Sequence, residues 1–415
     1  MALSRIGNKL LIWRLCNVSD LCKEAEELAA KYRFPIEVVV RWLERYRERT
    51  ENILAALKTP PNRFSIHVNL LKSSSEEIVD FLEQRGYKVE SHEDLDEVVF
   101  LRVRGPFELP KVEKFVVADK KAAESVLMGA HLFVPGVLRA KDVRKGGEVA
   151  VVDEYGQVVG VGIAMMNGVE MVKAGRGIAV KITRSLFRVP SLRGSEIFEK
   201  GLVYPQSFPA IVTGRVLEPE PGDFVVDMCA APGGKTSHIA QLMNNCGKIL
   251  AVDRSEAKIR GLKENLVRLG VKIVDTYVGD ARELPIKFPS LKADKVLLDP
   301  PCSALGVRPK LYEERSIRDI LALSAYQRSF LRAAVKILKK KGILVYSTCT
   351  LSPEENELNV KYAVEKLGLE LEEQKYFYGC EGERFIPQYD LVQRFYPDLH
   401  DTPGFFIAKF RKTTN

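Results

Sequence analysis

The 415-residue chain has little of what staples a small protein or binds a metal. Its seven cysteines, at positions 16, 22, 229, 246, 302, 349 and 380, are odd in number and include no C-x-x-C pair. A disulfide framework or zinc ribbon is therefore not expected. The five histidines are scattered, with no H-E-x-x-H or comparable spacing, so no metal is expected either. No run of about 18 apolar residues exists, which argues against a membrane-spanning helix and a membrane partner. The first 17 residues, MALSRIGNKLLIWRLCN, hold only a short apolar stretch and no small-residue cleavage site. They do not read as a signal peptide, and the protein is expected in the cytoplasm. Internal repeats and low-complexity tracts are lacking too.

What is present is the balance of an ordinary globular protein, with 46% hydrophobic and 28% charged residues. The length allows about three domains. Net charge is +8, and its location says more than its size: residues 110–195 hold 14 Lys plus Arg against 8 Asp plus Glu, or +6 of the total. A concentrated basic module suggests a polyanionic partner.

Three textures follow one another. Residues 1–109 read as a helical and α+β region. Ser19 or Asp20 can cap a helix carrying Leu21, Ala25 and Leu28, and Pro35 opens a second with Val38, Val39, Trp42, Leu43 and Tyr46 at helical spacing. After the Thr59–Asn62 break come a strand (64–70), a helix (76–85) stopped by Gly86, and strands at 87–90 and 98–103. Residues 110–195 carry short strand-like runs (115–117, 149–152, 158–165, 178–182) between Gly and polar turns, a compact β-rich module. From 196 to 415, strands and helices alternate, which predicts an α/β domain with a mostly parallel sheet covered on both faces. The expected strands are 224–228, 249–253, 273–278, 295–299 and 343–347, with 405–410 as an antiparallel edge strand.

The chemistry gathers at the ends of those strands. The first runs into Asp227-Met228-Cys229-Ala230-Ala231-Pro232-Gly233-Gly234-Lys235-Thr236, a small-residue loop whose backbone N–H groups can approach a ligand closely. It is not a P-loop, since Cys229 stands where that motif needs Gly, and it lacks G-x-G-x-x-G. The second strand ends in Asp253, placed to accept ribose hydroxyls, and the third runs into Gly279-Asp280-Ala281. Acidic strand ends suit a neutral-to-cationic nucleoside such as S-adenosylmethionine and would repel a triphosphate. The fourth strand ends in Asp299-Pro300-Pro301-Cys302, where base-amino methyltransferases carry an aromatic residue after the prolines; a thiol there disfavours adenine-amino transfer. The fifth ends in Tyr346-Ser347-Thr348-Cys349-Thr350, so two thiols are expected at one cleft. Cytosine C5 is a poor nucleophile, and a thiolate adding to C6 creates an enamine that can take a methyl group, which is chemistry that needs a cysteine. The residues alone leave open whether Cys302 or Cys349 attacks.

Through DMCAAPGGKT, AVD, GDA, DPPCSALG and YSTCT, in that order, the sequence resembles the RNA (cytosine-C5) methyltransferases of the Nop/Sun family. The likeness spans roughly residues 60–411: Arg63–Lys72 resembles the family's N-terminal leader, and GLVYPQSFPA (201–210) the segment that opens its catalytic domain, although Ser-Phe-Pro replaces the more usual Ser-Ser. GAHLFVPGV (129–137) resembles part of a PUA domain. The resemblance implies a Rossmann-like catalytic domain over 196–415 and a PUA domain over 110–195. It also implies the subgroup that methylates cytosine 72 of tRNA, beside the CCA tail. By the same resemblance Cys349 is the attacking thiolate, Cys302 helps to release product, and Asp299 and Lys235 contact the polar edge of the base. Residues 229–235, Asp253, Lys258, Asp280 and Asp299 would hold S-adenosylmethionine. The target must be flipped out of the stem at a cost of a few kcal/mol, which suggests that the basic module binds the single-stranded CCA end while the N-terminal region grips the stem. A monomer acting on tRNA is the expectation; ribosomal RNA as substrate, or a non-catalytic RNA-binding protein, are the rivals.

Overall fold

The structure, a computed structural model, describes residues 19–413. It comprises two compact units, each assembled from separate stretches of chain: residues 19–62, 103–189 and 308–317 in one, and 63–102, 190–307 and 318–413 in the other. The stretch 1–109, read from sequence as one region, is thus divided between them.

In the first unit, helices Ser19–Tyr32, Ile36–Tyr46 and Arg49–Leu57 follow one another. Pro35 sits at the N-cap of the second, and Val38, Val39, Trp42, Leu43 and Tyr46 are all buried. A six-stranded sheet follows, in the spatial order Leu132–Phe133, Ile178–Ser185, Val158–Ala164, Glu148–Val152, Phe115–Ala118, Val137–Arg139. Two helices not anticipated from sequence, Lys120–Leu127 and Gly168–Lys173, accompany it. The first is opened by the Asp119 carboxylate, which accepts the Ala122 N–H at 2.8 Å. Leu311 and Tyr312, from the distant 308–317 stretch, complete this core.

The second unit contains a small antiparallel sheet, Val203–Pro205, Arg63–Val68, Val98–Arg102, Val89–Ser91, and a large mixed one. The large sheet runs Val274–Val278, Lys248–Asp253, Phe224–Asp227, Ala293–Leu298, Leu338–Thr348, all parallel. Alternate residues face opposite layers: Val226, Val296, Leu344 and Tyr346 pack with Phe330, Leu331 and Ile337 of helix Ile317–Ile337, while Val225, Leu297 and Val345 pack with Ile211, Val212 and Ile239. Chain order reverses between Phe224–Asp227 and Ala293–Leu298, so the loops leaving their carboxyl ends flank a crevice suited to a ligand. Strand Phe405–Lys412 is antiparallel as expected, but it is not an edge. Val392–Phe395 and Leu369–Leu371 pair along its outer side. The former hides its strand character because its polar residues are buried and satisfied: Arg394 is paired with Glu357 at 2.5 Å and Gln393 donates to the Tyr376 carbonyl at 2.9 Å.

Among the described residues, no helix is long and apolar enough to cross a membrane, and no group of three or more His, Cys, Asp or Glu could hold a metal ion. Cys22 is disulfide-bonded, whereas Cys229, Cys246, Cys302, Cys349 and Cys380 form no disulfide.

Candidate active site

The loop after the first parallel strand is shaped by sterics and by one buried carboxylate. Asp227 accepts the Cys229 N–H at 3.3 Å and the Thr236 hydroxyl at 2.7 Å, tying the start of the loop to the helix Gly234–Leu242 that follows it. Burial pushes its pKa up to about 6. Gly233 has φ +106°, and a Cβ there would lie 2.4 Å from Leu262; at Gly234 it would lie 2.8 Å from the Tyr204 ring. Neither position accepts a larger residue without displacement, which keeps backbone bare at the crevice. Ala230 is buried, its N–H donating to the Val252 carbonyl at 2.9 Å, and Ala231 and Pro232 form the turn that precedes Gly233.

The acidic strand ends converge here. The Cys229 thiol is pushed well up by burial and then by the carboxylates of Asp227, Asp299, Asp253 and Asp280, in that order. Asp253 accepts the Ser255 N–H at 3.1 Å through one oxygen; the other has no hydrogen-bond or ion-pair partner among the described residues. Asp280 is more committed than the sequence suggested, since Arg282 grips it from Nη2 at 2.5 Å and from Nε at 3.0 Å. That arginine also lies 4.5 Å from the Tyr326 ring, so an aromatic wall flanks the third strand end. Lys258 is exposed in the first turn of helix Glu256–Leu269, where its backbone N–H meets the Ser255 hydroxyl at 3.3 Å.

Lys235 and Asp299 are hydrogen-bonded to each other. Burial disfavours the Lys235 charge, but the Asp299 charge and hydrogen bond more than offset it, and the ammonium is held above its ordinary value. The Cys349 sulfur also bears on this ammonium. Cys302 and Cys349, 47 residues apart in sequence, bring their sulfurs to 3.4 Å. The hydrogen bond with Cys349, followed by burial, pushes the Cys302 thiol well up.

Sequence reasoning missed the frame beneath the thiols. Glu355, fully buried, accepts the Ser303 N–H at 2.8 Å, the Ser303 hydroxyl at 2.5 Å and the Gln327 amide at 2.9 Å. Ser303 and Thr350, the residues following each cysteine, share a hydrogen bond of 2.6 Å. Nothing in the run Pro353-Glu354-Glu355-Asn356 marks one carboxylate for this place, because its partners lie 28 and 52 residues away.

Comparison with known proteins agrees with this arrangement. Residues 214–411 match the family described as 16S rRNA methyltransferase RsmB/F, residues 114–186 a PUA domain, and residues 35–108 the ferredoxin-like domain of RsmF/B-like methyltransferases. The tRNA (cytosine(72)-C(5))-methyltransferase of Pyrococcus horikoshii is 50% identical over 372 residues, covering 88% of this chain and 93% of that one. The human tRNA (cytosine(72)-C(5))-methyltransferase NSUN6 is 30% identical over 434 residues, covering 87% and 91%. The crystal structure of NSun6 from Pyrococcus horikoshii with SFG, an S-adenosylmethionine analogue, superimposes with a TM-score of 0.84 at 48% identity, covering 92% of this chain and 100% of that chain. The bare glycine loop, the half-free Asp253 carboxylate and the absence of a phosphate-cradling P-loop fit S-adenosylmethionine as the cofactor. With its paired thiols and its PUA module, this chain belongs to the Nop/Sun family of S-adenosylmethionine-dependent RNA (cytosine-C5) methyltransferases.

Proposed function

We propose that the protein forms 5-methylcytosine at position 72 of tRNA, with Cys349 as nucleophile and Cys302 as the group that assists release. The observation that carries the reading is the pair of sulfurs 3.4 Å apart, set beside the Lys235–Asp299 pair at the carboxyl ends of neighbouring parallel strands. The Lys235 ammonium, kept charged by Asp299, favours a thiolate at Cys349. That thiolate forms an S–C6 bond, and the ring's C5=C6 electron pair moves into an enamine; Asp299 holds the N3 edge of the base as charge develops there. S-adenosylmethionine, held by residues 229–235, Asp253 and Asp280, with Lys258 as a peripheral contact, supplies the methyl group to C5. Loss of the C5 proton to solvent, with Cys302 assisting, then breaks the S–C6 bond, restores C5=C6 and expels Cys349 as a thiolate.

For RNA capture, the first unit offers a face of matching chemistry. Around helix Gly168–Lys173 and residues 137–145, the side chains of Leu138, Val169 and Val172 are exposed. Arg139, Lys141, Arg144, Lys145, Lys173 and Arg176 are exposed as well, and none has an ion-pair partner among the described residues. Exposed apolar groups among free cations suit unstacked bases on a phosphate chain, and we assign this face to the CCA end. The acceptor stem falls to the N-terminal region, and the protein is taken to act as a cytoplasmic monomer.

The test combines tRNA transcripts, labelled S-adenosylmethionine, and the wild type with Cys349→Ala and Cys302→Ala. Cys349→Ala abolishes both methyl transfer and the denaturant-resistant protein–RNA complex, whereas Cys302→Ala accumulates the complex. Transcripts lacking CCA bind more weakly. A ribosomal RNA substrate is the second reading, favoured by the description of the matching catalytic family; bisulfite sequencing of both RNAs after reaction separates the two.

A further inference from the structure

We infer that Glu355 is a positioning residue for the two reacting thiols: its buried carboxylate holds the loop that carries Cys302 against the strand end that carries Cys349. The inference rests on the cysteine roles proposed above and adds a residue to that site.

The argument begins with what the carboxylate touches. One oxygen accepts the Ser303 N–H and the Gln327 amide, and the other accepts the Ser303 hydroxyl. The same Gln327 amide donates to the Pro301 carbonyl at 3.0 Å. Both residues that flank Cys302 are therefore fastened to one Glu–Gln pair. From Ser303 the chain of hydrogen bonds continues to the Thr350 hydroxyl, next to Cys349. Gln327 is itself locked by the Tyr346 hydroxyl at 3.0 Å and the Asn359 amide at 2.8 Å. An acid buried this deeply is costly unless every lone pair is satisfied, and a satisfied buried network fixes geometry more sharply than apolar packing does.

The two cysteines do not depend on Glu355 equally. The Cys349 side has further anchors: Asn356 accepts the Thr348 hydroxyl at 2.6 Å and donates to the Thr350 carbonyl at 3.0 Å, and the Gly306 N–H meets the Cys349 carbonyl at 3.0 Å. Loss of Glu355 should therefore loosen Cys302 more than Cys349. Attack at C6 would persist while release slowed, a signature that general destabilisation does not give.

The test uses the full chain with tRNA transcripts and labelled S-adenosylmethionine, reading kcat, KM, the denaturant-resistant complex and the melting temperature. Glu355→Gln can keep the frame, since its amide oxygen can take the Ser303 N–H and its amide nitrogen can donate to the Ser303 hydroxyl, which turns toward Thr350; kcat stays within about threefold. Glu355→Ala lowers kcat about 100-fold with KM for RNA and cofactor within about twofold, and the covalent complex accumulates above the wild-type level. Three results overturn the inference: wild-type turnover in Glu355→Ala, loss of the complex in parallel with turnover, or Glu355→Gln as impaired as Glu355→Ala. Should Glu355→Ala fail to fold, Ser303→Ala decides, with accumulation of the complex expected and wild-type behaviour overturning. Cys349→Ala runs alongside: a complex that survives in it defeats the nucleophile assignment itself, whereas the results above, with Cys349→Ala behaving as expected, defeat only the role of Glu355.

Discussion

The two units handle charge in opposite ways. In the second unit, ionisable groups are taken inside and paired: Arg394 with Glu357 at zero exposure, Asp227 under Thr236, Glu355 under Ser303. In the first, the cations around helix Gly168–Lys173 and residues 137–145 stand in solvent, and apolar side chains stand there with them, Val169 at 66% and Leu138 at 42% exposure. The contrast fits the roles proposed for each. Covalent chemistry on one ring carbon needs groups that cannot drift, and low-dielectric burial fixes them. Holding a single-stranded end needs many weak, forgiving contacts.

That division can be broken experimentally, beginning with the largest effect. Lys235→Ala should lower methyl transfer by about 1,000-fold, because a preorganised charge at the reacting centre is lost, while RNA affinity measured by fluorescence anisotropy stays put; a parallel fall in both would erase the contrast. Leu311→Ala opens the core of the first unit and should cost about 2–5 kcal/mol by denaturant titration, weakening RNA binding more than cofactor binding.

Asp227→Asn sharpens the comparison through pH. The folded carboxyl titrates at about 6 against an ordinary 3.8, so the native state binds more protons than the unfolded chain between those values. Stability therefore falls as pH rises through that window, by about 3 kcal/mol in all. The asparagine variant lacks this loss, and its stability relative to wild type should climb by that amount between pH 4 and pH 7. A pH-independent difference would show that burial of Asp227 carries no such penalty. The smallest effect is expected on the outer face. Replacing Arg139, Lys141 and Lys145 together by Ala should raise the Kd for tRNA about tenfold and flatten its salt dependence by about two in slope, with kcat unchanged.

The sequence made the crevice legible because its chemistry is written as short contiguous motifs at strand ends: 229–236, 299–302 and 347–350 each needed only local reading. The parallel strands were legible too, since burial on both faces leaves nearly continuous apolar runs such as Val225-Val226 and Val296-Leu297-Leu298. What escaped was long-range and polar. Val392–Phe395 reads as no strand because Gln393 and Arg394 are buried against partners far along the chain. Arg282 captures Asp280 from two residues away, a local contact that side-chain geometry reveals and spacing does not. Glu355 was invisible for the same reason as Arg394: its partners are brought together by the fold. The division of residues 1–109 between the units was hidden as well, since a strand paired with Val203–Pro205 looks no different from one paired nearby.

The discontinuous build of the first unit has a consequence for its synthesis. All six strands of its sheet are complete by Ser185, yet Leu311 and Tyr312, which fill its core, come more than a hundred residues later. At about 5–20 residues per second, a ribosome needs several seconds or more to supply them. Throughout that interval the nascent PUA module is short of two buried side chains, and the stretch that closes it emerges only after Cys302 has been made. Completion of the PUA module's core is thereby timed to follow translation of the Cys302 loop.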